Sequence, residues 1–253
     1  MEQAAKLARL GDRLVSLLAG GLILLMLLYG GYSLWDTAMV YSGAFLSEEL
    51  LAFKPASDDP NSNPTLTELQ EINPDVRAWL TVYETNIDYP VVQGETDWDY
   101  INTDIYGEFS LSGSIFLDSR NSPDFSDAYN IVYGHHMDNG GMFGDVVEFV
   151  NEDYFQAHPT GRLYLPQATY DITFFACAQV DAYDHTVYNP IPSSQGGVGE
   201  LAEYVEDMAV QYRDIGVRDS DQIIALSTCA EAQTNGRVVI FGRLDRVSEA
   251  AKE

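Results

Sequence analysis

Cys229 follows an apolar run, Ile223-Ile224-Ala225-Leu226, and then Ser227-Thr228, and it precedes a polar stretch, Glu231 to Gly236. A cysteine at the end of a strand, where the chain leaves the core, is placed to be reached by substrate. A thiol at neutral pH is mostly protonated, so a nucleophilic cysteine needs an imidazole or a cation to generate thiolate, and an acid to protonate the departing amine. Histidine supplies both. The chain has four histidines. His135 and His136 follow an apolar run and Gly134, whereas His158, before Pro159, and His185, in a polar stretch, read as exposed loop residues. Acyl transfer also needs a donor to the oxyanion of the tetrahedral intermediate, and Arg237 opens the apolar run that follows Cys229. Cys177, inside Phe174-Phe175-Ala176-Cys177-Ala178, reads as a small buried hydrophobe.

These groups need elements to carry them. Seven β-like runs separated by Gly, Asn, Asp and Pro are expected at 87–92, 113–117, 129–133, 162–165, 170–180, 222–227 and 237–243, which suggests a barrel or sandwich. Two helices interrupt them, near 144–157 and 198–214, the second with Leu201, Tyr204, Val205, Met208 and Tyr212 on one face. Upstream, 41–56 looks helical, 57–64 is a turn-rich linker, and Thr65 to Ile72 has helical spacing. Asn73-Pro74-Asp75 is expected to restart a turn of helix, with Val76, Trp79 and Leu80 facing inward.

From Leu14 to Trp35 there is no charged residue. At about 1.5 Å per residue that run is ~33 Å long as a helix, enough to cross the hydrocarbon core. It lacks the shorter apolar region and small-residue cleavage site of a removed signal, so it reads as an uncleaved anchor. Lys6, Arg9 and Arg13 precede it and Asp36 follows it, which predicts a cytoplasmic N-terminus and an extracytoplasmic remainder. The whole chain of 253 residues carries a net charge of −26, from 39 acidic and 13 basic residues. Phosphate backbones are bound by Lys and Arg, so nucleic-acid binding is excluded. With 46% hydrophobic residues, this is still a folding chain and not an acidic tail. Two cysteines make neither a disulfide scaffold nor a four-cysteine zinc site.

Taken together, the run YGHHMDNGGMF (133–143), the run LSTC (226–229) and Arg237 resemble the signature of the class B sortases, membrane-anchored cysteine transpeptidases of Gram-positive bacteria. INPDVRAWL (72–80), IDYPVVQ (87–93) and GSIFLD (113–118) are similar to stretches of that class in the same order. The resemblance covers about 65–245. It implies a mainly β fold, a closed eight-stranded barrel with an N-terminal helical arm and helical insertions, preceded by one transmembrane helix. The domain plan is then 1–13 cytoplasmic, 14–35 anchor, 36–64 arm and linker, 65–247 catalytic domain and 248–253 tail. It further implies Cys229 as nucleophile, Arg237 as the oxyanion and positioning arginine, and His135 as acid/base. Either His135 or His136 can be argued from the residues; His135 is preferred because it holds the family's place directly after Gly. Ser227 falls where some relatives have a site-supporting serine. The implied partners are exported proteins bearing a C-terminal sorting motif, and an amine acceptor from a cell-wall precursor or a pilin; no metal or organic cofactor is required.

Two other readings compete. A secreted cysteine peptidase would use the same Cys-His pair but release both fragments. A non-catalytic acidic surface receptor would carry a Cys177–Cys229 disulfide. Metal ligation by His135, His136 and Asp138, or by Asp118, Asn121, Asp124 and Asp127, is a weaker signal, because neither spacing is that of a zinc or EF-hand site.

Overall fold

A computed structural model describes residues 2–42, 45–56, 59–229 and 235–248. The chain divides into two units, Met1–Ser42 and Gly43–Glu253. The first is a single helix, α1 (Glu2–Ser42), within which Arg9–Ala38 is long and apolar enough to cross a membrane. Its leucines are bare, Leu17 at 77% exposure and Leu34 at 75%. Such a surface is unfavourable in water and suited to lipid. The helix passes Trp35 and Asp36 without interruption, because no proline or glycine stands between Tyr32 and Ser42. Of the expected arm and tail, 43–44, 57–58 and 249–253 lie outside the described residues, as does 230–234 of the polar stretch after Cys229.

The second unit is built on nine strands: β1 (Val76–Val82), β2 (Asp88–Val92), β3 (Ile115–Leu117), β4 (Tyr129–Tyr133), β5 (Thr160–Leu165), β6 (Ala168–Asp181), β7 (Gln211–Tyr212), β8 (Gln222–Cys229) and β9 (Gly236–Arg246). Eight of them close into a ring in the order β5-β1-β2-β3-β4-β8-β9-β6, with β6 pairing back to β5; β7 adds two residues beside β6. Most pairs are antiparallel, but β2–β3 and β4–β8 are parallel. Closure removes the exposed sheet edges that would invite aggregation.

β1 corrects the expected helical turn at 73–80. The Asn73 side chain accepts the Asp75 N–H at 2.9 Å, and the chain turns there from α3 (Pro64–Ile72) into the strand. Val76, Ala78, Trp79 and Leu80 are all fully buried. Leu66 and Leu69 of α3 pack in one cluster with Val76 and Trp79, so both faces of β1 are covered and the alternation that marks a half-exposed strand is missing.

The other helices are shorter than their apolar spacing predicts. Of 41–56, the first two residues end α1, and among the described residues from 45 onward one short helix forms, α2 (Glu48–Leu51), capped by the Ser47 hydroxyl accepting the Leu50 N–H at 3.2 Å. The stretch 144–157 divides into a 3-10 helix (Gly144–Val150) and α4 (Glu152–Ala157), because the Asn151 side chain caps the second by accepting the Asp153 N–H. α5 (Gly199–Met208) stops before Tyr212, which pairs with Ala176 as part of β7. Leu201 and Val205 of α5 join Ile131, Phe175, Ala225 and Phe241 in the core.

Candidate active site

The parallel pairing of β4 with β8 fixes the site. Tyr133, the last residue of β4, lies opposite Ser227. His135 and Cys229 each stand two residues beyond that pair, so the chain delivers them side by side at one rim although 94 positions separate them. The antiparallel pairing of β8 with β9 then sets Arg237 opposite Cys229. Three of the residues expected to do chemistry thus arrive together from backbone register alone. The Gly134 N–H donates to the Ser227 carbonyl at 3.2 Å, which ties the two strand ends past the last ladder pair.

A cleft of about 400 Å³ opens at this rim, lined by His135, Arg237, Ser227 and Thr228, with Tyr133 and Tyr188 on its walls. His135 is half-buried, and its Nε2 lies 2.8 Å from the Ile101 carbonyl oxygen. A carbonyl only accepts, so Nε2 carries the proton of this bond and Nδ1 is the other tautomeric site. His136 is not part of the cleft lining; its Nε2 lies 3.3 Å from Asp138, and its buried Nδ1 has no partner among the described residues. Gly134 is required where it stands. A Cβ there would come within 2.4 Å of Ile115 and 2.7 Å of the Phe143 ring.

Arg237 lines the cleft with its Nη1 donating to the Gly236 carbonyl at 3.0 Å. Ser227 is 2% exposed, and its hydroxyl lies 3.0 Å from the Tyr188 hydroxyl. The neighbouring Thr228 hydroxyl is buried and has no partner among the described residues.

Behind the cleft is a network of which the sequence reading weighed only Asp118, as a weak candidate metal ligand. Asp118 is fully buried and receives Arg120 through two bonds, Nε at 2.9 Å and Nη2 at 2.6 Å. Its carboxylate also accepts the Tyr133 hydroxyl at 2.9 Å. Arg120 reaches on to the Tyr188 carbonyl at 3.0 Å, and the Tyr133 and Tyr188 rings stack at 6.3 Å. Burial first, and then the Asp118 charge, hold the Tyr133 hydroxyl protonated well above its ordinary range. Asp118 and Arg120 stand at and beside the GSIFLD run and gave that much signal; Tyr188 sits in a loop and gave none. Ile101 contributes a carbonyl, which no side-chain pattern reveals.

Cys177 stands apart from the cleft. It pairs with Ile240 of β9, and Cys229 pairs with Arg237 of the same strand. Two strand spacings across and three residues along put the two cysteines about 14 Å apart, beyond the span of a disulfide. Burial pushes the Cys177 thiol up to about 12, so it stays a thiol. Among the described residues, no three His, Cys, Asp or Glu side chains converge on a common point, so the metal-ligand groupings considered from sequence do not assemble.

The sortase domain family model matches residues 80–245. The sortase B of Listeria monocytogenes is 33% identical over 181 residues, which are 71% of this chain and 73% of that protein. The chain belongs to the class B sortases. Sortase B of Staphylococcus aureus is 28% identical over 187 residues, covering 73% of this chain and 76% of that one. Among solved sortases, a class B enzyme of Streptococcus pyogenes involved in pilus biogenesis superposes with a TM-score of 0.65 at 41% identity, covering 71% of this chain and 97% of that one. The S. aureus sortase B–substrate complex superposes at 0.68 with 27% identity, over 74% and 88% of the two chains. Sortases are cysteine transpeptidases of the Gram-positive cell envelope that act on sorting-motif substrates, and this chain is a sortase-type cysteine transpeptidase. Its N-terminal apolar helix fits a membrane anchor.

Proposed function

We propose that Cys229 is the nucleophile, His135 the acid/base and Arg237 the oxyanion donor of a two-step acyl transfer in this cleft. The observation that carries the proposal is the register: the ends of β4, β8 and β9 set these three residues side by side. The Cys229 thiolate attacks the scissile carbonyl of a sorting motif near the C-terminus of an exported protein. The oxyanion that forms is stabilised by the Arg237 guanidinium. With Nε2 held on the Ile101 carbonyl, Nδ1 is the nitrogen that gives its proton to the departing amine, and the C–N bond breaks to leave a thioester on Cys229. An incoming amine then attacks the thioester and His135 Nδ1 takes its proton. The amide bond forms and Cys229 leaves as thiolate. Ser227 acts indirectly, tied through its hydroxyl to Tyr188.

The acceptor amine belongs to a pilin lysine or to a cell-wall precursor peptide. The 41% identity to an S. pyogenes enzyme involved in pilus biogenesis supports the pilin. The anchor holds the N-terminal residues 1–13 in the cytoplasm and residues 65–247 outside, an orientation supported by Lys6, Arg9 and Arg13 ahead of the apolar run.

The test is mass spectrometry of the full-length chain in neutral detergent with a panel of sorting-type peptides and a small amine, beside Cys229→Ala. The expected result is a peptide–amine adduct that Cys229→Ala fails to form. Cleavage without adduct at saturating amine would replace transfer by hydrolysis. An adduct that persists in Cys229→Ala would remove the nucleophile assignment.

A further inference from the structure

The cleft holds one carboxylate among its described lining residues, Asp97, next to Trp98. The Asp97 Oδ1 accepts the Ser119 N–H at 2.7 Å, which holds the carboxylate in place. It makes no ion pair among the described residues. The neighbouring cation, Arg120, is committed to Asp118 and to the Tyr188 carbonyl. Trp98 is 80% exposed, the barest aromatic of the described residues in the second unit. Such exposure leaves the indole face open to a ligand entering the cleft. The surrounding loop 93–114 carries five acidic residues, and no lysine or arginine occurs between Arg77 and Arg120. A fixed carboxylate beside an open indole is the chemistry that takes a cation, by ion pairing on one side and cation–π contact on the other.

We propose that Asp97 and Trp98 form a cation subsite on the wall of the cleft, which reads a lysine or arginine side chain of the sorting peptide. The inference rests on the assignment of this cleft to the transfer reaction. The reacting amine of the acceptor is a poorer occupant, because a carboxylate partner favours the charged ammonium, which is not nucleophilic. A side chain that is read and not consumed has no such conflict. Its pairing survives both halves of the reaction, since the acyl portion of the peptide stays on Cys229 while the amine half departs. The subsite thereby adds selectivity for a cation to a cleft that also holds His135 and Arg237, and whose apolar walls, Ile101, Phe116 and Ala182, distinguish only size and shape.

The experiment uses the full-length chain in nonionic detergent and peptides in which each motif position carries Lys, Gln or Glu in turn. Acylation of Cys229 is read as the mass of the intact protein, and the quantity compared is the Lys/Glu ratio of kcat/KM at each position. At one position the native chain should prefer Lys over Glu by at least about tenfold, a preference of ~1.4 kcal/mol. Asp97→Asn should bring that ratio toward one, Asp97→Lys should invert it, Asp97→Glu should restore it, and Trp98→Ala should reduce it several-fold. A parallel arm compares lysine amide with hydroxylamine as acceptor, whose ratio should not respond to Asp97. An effect confined to that arm would move the cation to the acceptor and overturn the peptide assignment. An unchanged Lys/Glu ratio at every position would overturn the subsite outright. Peptide binding to Cys229→Ala, read by Trp98 emission against a Trp98→Phe blank, separates the two assignments. Lys-selective binding to Cys229→Ala, with no adduct formed by the native chain, would sink the transfer reading and leave the subsite standing, whereas transfer by the native chain without charge selection in either readout would do the reverse.

Discussion

His135 and His136 are neighbours in sequence with opposite surroundings: one ring lines the cleft on the Ile101 carbonyl, and the other lies outside it near Asp138. Replacing His135 by Gln should lower the transfer rate about 10²- to 10⁴-fold, the usual worth of a positioned acid/base. His136→Gln should leave the rate within a few-fold of the native value. Measured adduct formation in the two variants decides between the residues, and equal losses would remove the distinction. Gly134 is a companion case. Gly134→Ala pushes a methyl into Ile115 and Phe143, and overpacking of that kind costs about 1–3 kcal/mol, which a lowered unfolding midpoint will show. At this scale the residues that meet at the rim were legible as letters: the cysteine, the arginine and the histidine pair could be named from type and position before the register brought them together. The Ile101 carbonyl and the Tyr188 hydroxyl did not, because a backbone oxygen has no letter and a loop tyrosine has no period.

Among the elements, the pair of parallel strands β4 and β8 depends on what braces their ends. Asp118 is a buried acceptor for Arg120 and Tyr133, and Arg120 also holds the carbonyl of Tyr188 in the loop that follows β6. Arg120→Gln leaves the Asp118 charge buried with less compensation. Arg120 is itself half exposed, so the loss belongs between that of a surface pair and a buried one, about 2 kcal/mol. The same variant unties Tyr188 from the cleft, so the KM for peptide should rise several-fold in enzyme that remains folded. Tyr188→Phe, which removes only the hydroxyl at Ser227, should alter KM without the loss of stability; equal stability losses in both variants would count against this division of labour. Element type was read correctly for short apolar runs bounded by turn residues, as at β3 and β4, and for the striped helix α5. It failed at β1, where α3 covers the outer face and Trp79 and Leu80 are both dry, and at 144–157, where a capping Asn151 breaks one apolar run into two pieces.

Over the whole molecule, several acidic protons are locked into the fold. Burial raises Cys177 to about 12, and Tyr89 likewise to about 12, while Tyr129 and Tyr133 are also raised. The unfolded chain gives up these protons near 9 for the thiol and 10 for the phenols. A raised folded value means stability that is complete below the unfolded value and is lost as pH climbs toward the folded one. The unfolding free energy should therefore be nearly independent of these groups below pH 9 and should fall between pH 9 and 12. Denaturant titrations at stepped pH check this, and Cys177→Ala should flatten the first part of the slope whatever its effect at neutral pH. The net charge of −26 adds a second lever. Self-repulsion of one sign weakens a compact state and is screened by salt, so the thermal midpoint should rise between low and physiological ionic strength; a midpoint that falls with added salt would mean that the ion pairs outweigh the repulsion.

The parallel pairing of β4 with β8 also governs when the enzyme comes into being. A nascent chain acquires His135 94 residues before Cys229, and at about 5–20 residues per second that interval is roughly 5 to 20 s. Until β8 and β9 are made, the ring lacks the two strands that join β4 to β6. The histidine then has neither a thiol beside it nor a closed barrel to hold it. With Cys229 as the proposed nucleophile, a truncated or half-made copy therefore cannot be acylated by passing proteins, because reactivity is born with the last two strands.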